Sequence, residues 1–424
     1  MRTILILIAI FLAFSTELLA QNDFKTLDKK SYDYFIAGDY KNLRKTVDTM
    51  LLYGMDYYYL RMRLGILAYN KQLYYNVLKD FTKAIEFNSL DTISRNYIYN
   101  SYLYSGRLPD AYLYLQSIYK DKTNSMPGES EKSGSSEFYV NSSAAAYDVI
   151  LYNTNSLNYE ATNNSFSINA GFENYFLKRF RGTFSYTNFH KSGTVYSPID
   201  QSGKDLNFSQ NQMYAKLTGF LFPGWEFSGF GHVAFYNEAT VIGTMGNRRS
   251  VNQKKTEYLG GIGIAKNLWR IRAGLNVSVS NFSSSKQLRG EGYLIWLPSG
   301  NLSLYFTSGW MGQTDNIWGG TYQINQEIGF KITRSIWMET GIVKGNSFLY
   351  ARNQGLMLNN TFLIPAITIY SNIIILPWKH FRISITPFYV NNEVYSWDLN
   401  AYARTNKLSI NSFGGSIKLS YKIR

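Results

Sequence analysis

The sequence has no cysteine in 424 residues, only three histidines and eight prolines. Without cysteine there are no disulfides, no thiolate metal ligands and no acylated cysteine to act as a lipid anchor. The histidines, His190, His232 and His380, are scattered, and no trio of ligands at metal-binding spacing accompanies them. Neither a G-x-S-x-G elbow nor a phosphate-binding loop occurs, and no cofactor is implied. After residue 20 there is no run of about 18 consecutive apolar residues, the least that marks a membrane-spanning helix. A helical membrane protein and a disulfide-stapled secreted domain are thereby excluded.

What is present begins with an export signal. Arg2 precedes an unbroken apolar run from Ile4 to Phe14, a polar step covers Ser15 to Glu17, and Ala20 stands before Gln21. Residues 1–20 read as a secretory signal peptide. Aromatic residues make up 17% of the chain, with 36 tyrosines, well above ordinary globular usage. The charge balance is uneven: residues 22–135 hold 16 basic against 13 acidic residues, whereas 136–424 hold 26 against 15. Such a basic excess attracts nucleic acid or anionic glycan and lipopolysaccharide, and the export signal removes nucleic acid from that set.

Residues 22–120 repeat at helical spacing, as in Leu43, Val47 and Met50 or Phe81, Ala84 and Ile85. A shift of 34 residues aligns Gly38-Asp39-Tyr40 with Gln72-Leu73-Tyr74 and Gly106-Arg107-Leu108, each where one helix turns into the next. Leu43, Val77 and Ala111 fall into the same register, as do Val47, Phe81 and Leu115. Three helix pairs are expected, with Gly38, Tyr40, Tyr74 and Gly106 as candidate positions at the repeat turns. Stacked pairs bury together an apolar face that none buries alone, leaving a concave side on which a peptide or partner could dock. A plain spacer is the alternative reading. Residues 121–137 are almost free of apolar side chains and read as a flexible linker.

From residue 138 to 424 the period becomes two. Tyr322, Ile324, Gln326, Ile328 and Phe330 alternate with Gln323, Asn325, Glu327 and Gly329, and Ile271 to Val279 alternate with Arg272 to Ser280. Short turns fall at 177–179, 223–224, 267–269, 298–300, 333–335 and 378–379, and longer polar connections between them, such as Lys191 to Gln210, Thr240 to Gln253 and Asn391 to Ser409. Alternating short and long connections, with strands of about 10–14 residues, suit a membrane barrel with short periplasmic turns. Two strands per turn, a C-terminal strand over Gly415–Arg424 and a first strand near Tyr139–Tyr152 predict about 14 strands, with 12 as the alternative. Trp225, Trp269, Trp296, Trp337 and Trp378 cluster near the short turns, as an interfacial girdle would. The fold expected is a short α-solenoid followed by an antiparallel transmembrane β-barrel.

Phase assigns Arg181, Lys216, Arg272, Arg289, Lys331, Arg382, Lys418 and Lys422 to the lumen, with Glu173, Glu257, Glu291, Glu327 and Glu339 among them. Mixed signs suit ion pairs across the lumen; the other reading is a basic wall that selects anionic cargo. A hydrolytic site for lipid or glycan would need a histidine beside a serine, and His190 with Ser185 or Ser192 is one such arrangement.

The 34-residue period, best matched by Leu64-Gly65, Phe81 and Ala84, resembles the tetratricopeptide repeat, although the family's tryptophan and closing proline are missing. Such repeats ahead of a C-terminal barrel resemble YaiO-type proteins and, more distantly, surface lipoprotein assembly modifiers and exopolysaccharide secretion porins. The resemblance is architectural and carries no residue roles. It implies an outer-membrane barrel with its repeats in the periplasm, inserted by the outer-membrane assembly machinery and engaged in export or surface assembly of a polysaccharide, lipoprotein or protein. A lipid- or glycan-modifying enzyme and a non-conducting scaffold are the alternatives.

Overall fold

The computed structural model describes residues 23–118, 136–147, 159–176, 179–196, 203–242, 249–282, 285–315, 319–347, 350–352, 354, 356–359, 364–378, 380–398 and 403–423. The expected signal peptide and nearly all of the expected linker lie outside the described residues.

Six helices come first: α1 (23–36), α2 (Tyr40–Leu52), α3 (Tyr58–Asn70), α4 (Tyr74–Phe87), α5 (Thr92–Tyr104) and α6 (Leu108–Ile118). The 34-residue period is visible in their backbone. Gly38, Gln72 and Gly106, which end α1, α3 and α5, have φ of 68°, 58° and 76°. Each closes the same motif, in which its own N–H donates three residues back and the next N–H five residues back. The bonds are Gly38 to Phe35 and Asp39 to Tyr34, Gln72 to Tyr69 and Leu73 to Ala68, and Gly106 to Leu103 and Arg107 to Tyr102, all 2.8–3.1 Å. Glycine adopts this conformation freely, whereas Gln72 does so at roughly 1–2 kcal/mol because its Cβ crowds the following carbonyl.

Leu43, Val47, Met50, Leu60, Leu64, Phe81, Ala84 and Ala111 are fully buried. Gly65 lets α3 lie against the Phe81 ring, which a Cβ would approach to 2.6 Å, and Phe81 in turn stacks on Tyr97 at 4.7 Å. Within this core sits a charge network. Asp80, with no exposed surface, accepts from Arg61 Nη1 at 3.1 Å and Arg44 Nη1 at 3.4 Å, and Arg61 also forks onto Asp56 at 2.7 Å through both Nε and Nη2.

Two carboxylates of this unit respond to pH in opposite senses. Burial pushes the Asp80 carboxyl up, and Arg44 and Arg61 only partly reverse it. Asp91 caps α5 by accepting from Ile93 N at 2.9 Å and Ser94 N at 3.1 Å; burial would raise its carboxyl, but hydrogen bonds from Ser94, Tyr58 and Ile93 outweigh it and hold it low. A depressed carboxylate stabilises the fold above its unfolded pKa and loses that contribution as pH falls through the folded value. Asp80, being raised, contributes in the acid direction and loses its contribution as pH rises. Asp91→Asn is therefore expected to leave stability at pH 7 within about 0.5 kcal/mol, because asparagine caps as well as aspartate. It should also flatten the loss of helix below about pH 4, where the unfolded carboxylate titrates. Ellipticity at 222 nm against pH checks this, and an unchanged acid limb counts against it.

The strands are β1 (Ser136–Tyr147), β2 (Tyr159–Phe176), β3 (Phe180–Tyr196), β4 (Gly203–Gly219), β5 (Trp225–Ile242), β6 (Arg249–Leu268), β7 (Ile271–Ser280) and β8 (Gln287–Trp296). They continue as β9 (Leu304–Asp315), β10 (Gly319–Lys331), β11 (Ile336–Gly345), β12 (Tyr350–Arg352), β13 (Met357–Asn359), β14 (Ile364–Trp378), β15 (Phe381–Asp398) and β16 (Ala403–Ile423). Fourteen of them close into an antiparallel barrel; β11 pairs with β14, β16 returns to β1, and β12–β13 form a separate hairpin. The expected strand number is the observed one. All six short turns lie at one end of the barrel, where β1 also starts and β16 finishes.

Several boundaries differ from expectation. The barrel strands run from 10 to 21 residues rather than 10–14, because much of the supposed loop sequence continues the ladders: β3 and β4 pair to Tyr196–Gly203, β5 and β6 to Ile242–Arg249, and β15 and β16 to Asp398–Ala403. Polar residues there extend hairpins past the apolar zone. The barrel begins at Ser136 rather than 138, and its last strand begins at Ala403 rather than 415.

On the outer face Phe172, Ile262, Leu275, Val277, Trp296, Ile324, Ile369, Ile417 and many like them stand 37–71% exposed. A contiguous apolar belt around a closed barrel is costly in water and matched to hydrocarbon, and closure satisfies every strand edge. A ten-residue strand such as β7 rises ~34 Å along its axis, or about 24 Å when tilted by 45°, close to the height of a lipid-facing band. Aromatics gather at the short-turn end: Trp225 stacks on Phe227 at 6.2 Å and carries Lys266 over its ring, while Trp296 stacks on Phe306 at 5.4 Å. Trp337 departs from the expected girdle. It pairs with Lys331, whose ammonium lies 4.7 Å from its ring, on the inward side.

Candidate functional site

The wall of the barrel lumen follows from strand phase. Inward positions are dominated by Ser, Thr, Asn, Gln and Tyr, with charges of both signs. Several lumen tyrosines lie flat against the wall over glycines on the neighbouring strand: Tyr293 over Gly274, Tyr305 over Gly329 and Tyr370 over Gly341. No side chain larger than hydrogen fits beneath these rings, and this cross-strand packing keeps bulky residues out of the passage.

Arg181, Lys216, Arg272, Arg289, Arg382 and Lys418 all occupy lumen phase, and Lys331 sits exposed at the short-turn rim. Their partners are lateral rather than across the lumen, which corrects the expected pairing. Arg272 on β7 meets Glu226 on β5 at 2.8 Å, Arg181 on β3 meets Glu173 on β2 at 3.8 Å, and Arg382 on β15 meets Glu137 on β1 at 3.6 Å. Arg289, 2% exposed, donates to the Gln313 amide oxygen at 2.7 and 3.2 Å, and Lys418 lies 4.0 Å over the Tyr139 ring. Adjacent strands are separated by only about 5 Å, so neighbours saturate one another before side chains reach the far wall. Glu257 accepts from Tyr236 at 2.7 Å, Glu327 from Tyr370 at 2.6 Å, and Glu339 from Asn372 at 2.7 Å and from Tyr305.

Part of the connection between β11 and β14 is described, and its Gln354 reaches into the lumen. Its hairpin β12–β13 pairs Tyr350 with Asn359 and Arg352 with Met357. At the tip Gln354 reaches the opposite wall: its amide nitrogen donates to Asn276 Oδ1 at 2.5 Å and Ser228 Oγ at 3.3 Å, and its amide oxygen accepts from Lys216. The seat exists because residue 263 is glycine; a Cβ there would come within 2.8 Å of Ser228 Oγ and 2.9 Å of Gln354 Nε2. Beside it Leu356 packs on Tyr214, Phe230, Leu259, Phe282 and Ile364. A hairpin with three residues per strand has little stability of its own. Its placement rests on these contacts.

Glu226 and Glu137 are lumen acids beyond those named from the sequence, although strand phase places both inward, and Gln354 lies in a segment with no periodicity to mark it. His190 with Ser185 is corrected: Ser185 is 1% exposed in lumen phase, while His190 is exposed in the opposite phase of the same strand. Ser192 shares the phase of His190 but donates to Asn164. In the helical unit, Gly38 and Gly106 are helix ends, Tyr40 accepts from Asn76 at 2.9 Å, and Tyr74 joins Tyr69 and Tyr104 at 5.9 and 5.6 Å.

No family model matches the sequence, and no curated protein matches it. Among solved structures the chain is similar to the Pseudomonas putida toluene transporter TodX, with 8% identity, 69% of this chain and 91% of that one covered, and a TM-score of 0.46. It is also similar to a Pseudomonas aeruginosa FadL homologue, at 9% identity, 69% and 90% coverage and a TM-score of 0.43. A bacterial polysaccharide outer membrane secretin matches at 10% identity, 68% and 98% coverage and a TM-score of 0.38. At this level of identity the likeness is one of fold.

Proposed function

We propose that this chain is an outer-membrane transport barrel whose lumen is a wet, hairpin-restricted passage. The observation that carries the reading is the conjunction of a largely apolar outer face among the described residues with a polar interior narrowed by the Gln354 tip. A scaffold has no need of tyrosines laid flat along its wall or of a segment seated across its lumen. That β1 starts at the short-turn end supports reading the helical unit, which precedes it in the chain, as periplasmic, since short turns belong on that side. Its tetratricopeptide-like pairs would there hold a partner or a cargo (polysaccharide, lipoprotein or protein) bound for export or surface assembly.

Purified protein in a planar bilayer is expected to give small, well-defined single-channel steps. Absence of conductance in both wild type and hairpin variants would leave the scaffold reading standing. Removal of residues 22–135 is expected to abolish surface display of cargo with the barrel still inserted; unchanged display sinks the docking role.

A further inference from the structure

The β3–β7 wall near the short-turn end holds donors that the protein itself does not satisfy. Thr218 is 2% exposed, and its hydroxyl has no hydrogen-bond partner among the described residues; the same holds for the buried Nε of Arg181 and Nε of Arg272. Thr218 is the direct cross-strand partner of Arg181 and, on its other side, of Ser228. Lys216 lies two residues from Thr218 on the same face. Among the described residues no carboxylate comes within ion-pair distance of its ammonium, which is met by the neutral amide oxygen of Gln354.

The acids of this wall are committed elsewhere. Glu226 is held by Arg272 at 2.8 Å, and Glu173 stands 3.8 Å from Arg181. Arg181 is further fixed by the rings of Tyr175 and Phe220, 5.8 and 5.7 Å from its guanidinium carbon, and by a 3.3 Å bond to the Tyr175 hydroxyl. Its Nε–H is left without an acceptor among the described residues. A buried donor without an acceptor is costly, and Lys216 adds a half-buried cation met only by a neutral oxygen. A negatively charged ligand rich in acceptor oxygens is the chemistry that would relieve donors of this kind and the Lys216 ammonium.

We propose that Arg181, Lys216, Thr218 and Arg272 form a lumen subsite for a small oxyanion, the phosphate or carboxylate group of a solute. It rests on reading the lumen as a wet passage. An oxyanion on Lys216 competes directly with the Gln354 amide, so occupancy and hairpin seating are linked through one ammonium.

The test titrates inorganic phosphate, and separately acetate, into the detergent-solubilised full chain by calorimetry at constant ionic strength in chloride. Saturable phosphate binding is expected, weakened at least tenfold by Thr218→Val, which removes a donor without changing charge or size, and by Lys216→Gln. Lys331→Gln at the rim should bind as wild type does. Retained heat-modifiable gel mobility shows that each variant barrel is folded, and acetate binding with the same variant pattern assigns the carboxylate to the site too. No saturable binding, or binding indifferent to both Thr218→Val and Lys216→Gln, overturns the subsite. Because binding is read without conductance, phosphate that binds to a non-conducting protein would sink the passage reading while leaving the subsite in place.

Discussion

Gln354→Ala combined with Gly263→Leu is expected to raise single-channel conductance severalfold and to expose the 346–363 connection to protease in the inserted protein. The alanine removes bonds to Asn276, Ser228 and Lys216. Neutral bonds contribute about 0.5–1.5 kcal/mol each and one to a charged group about 1.5–3, so roughly 3–5 kcal/mol of seating is lost. Since every 1.4 kcal/mol is about a tenfold shift in population, the unseated fraction should grow by two or more orders of magnitude. The leucine then fills the seat, because any side chain at 263 meets Ser228, Asn276 and the position of Gln354 Nε2. Leu356 on its apolar cluster still tethers one flank, which is why the double change is needed. If conductance and proteolysis both match wild type, the hairpin is not what narrows the lumen.

The second large effect lies in the helical unit. Asp80→Ala is expected to destabilise it by about 3–5 kcal/mol, the usual consequence of leaving one partner of a buried ion pair uncompensated. Arg61, 6% exposed, keeps Asp56 but loses its interior partner, and Arg44 keeps only the half-exposed Asp48 at 3.1 Å. Asp80→Leu with Arg61→Met should recover most of the loss, since apolar residues of similar volume replace buried ion pairs at little cost. The readout is the helical signal at 222 nm on heating the full chain, with heat-modifiable gel mobility reporting the barrel. A single variant that melts like wild type, or a double variant no better than the single, contradicts the account.

These two cases mark where sequence reasoning reached and where it stopped. Gly38, Gln72 and Gly106 were legible as a repeat because the left-handed helix end recurs wherever the same local pattern recurs. Arg272 and Lys216 were legible as inward-facing because a strand's side chains alternate whatever surrounds it. Glu226 was within reach by the same phase. By contrast, nothing local marks Gln354 as the residue that crosses the barrel, or Asp80 as the acid between two arginines, 19 and 36 residues away in the chain. The His190–Ser185 arrangement failed for a related reason: nearness in sequence along a strand puts odd and even residues on opposite faces.

The sequence by itself determined the helices, their period, the fourteen strands and the face each strand turns outward, since all of these follow from local periodicity and from the need to satisfy every backbone group away from water. Only the tertiary structure decided that charges pair laterally along the wall, that Gln354 of a non-periodic connection reaches the lumen wall, and that Thr218, Arg181 and Arg272 each keep a donor without an acceptor among the described residues. Those outcomes depend on barrel closure, which brings β4, β5 and β7 within reach of a segment more than 70 residues away and sets which side chain meets a partner first.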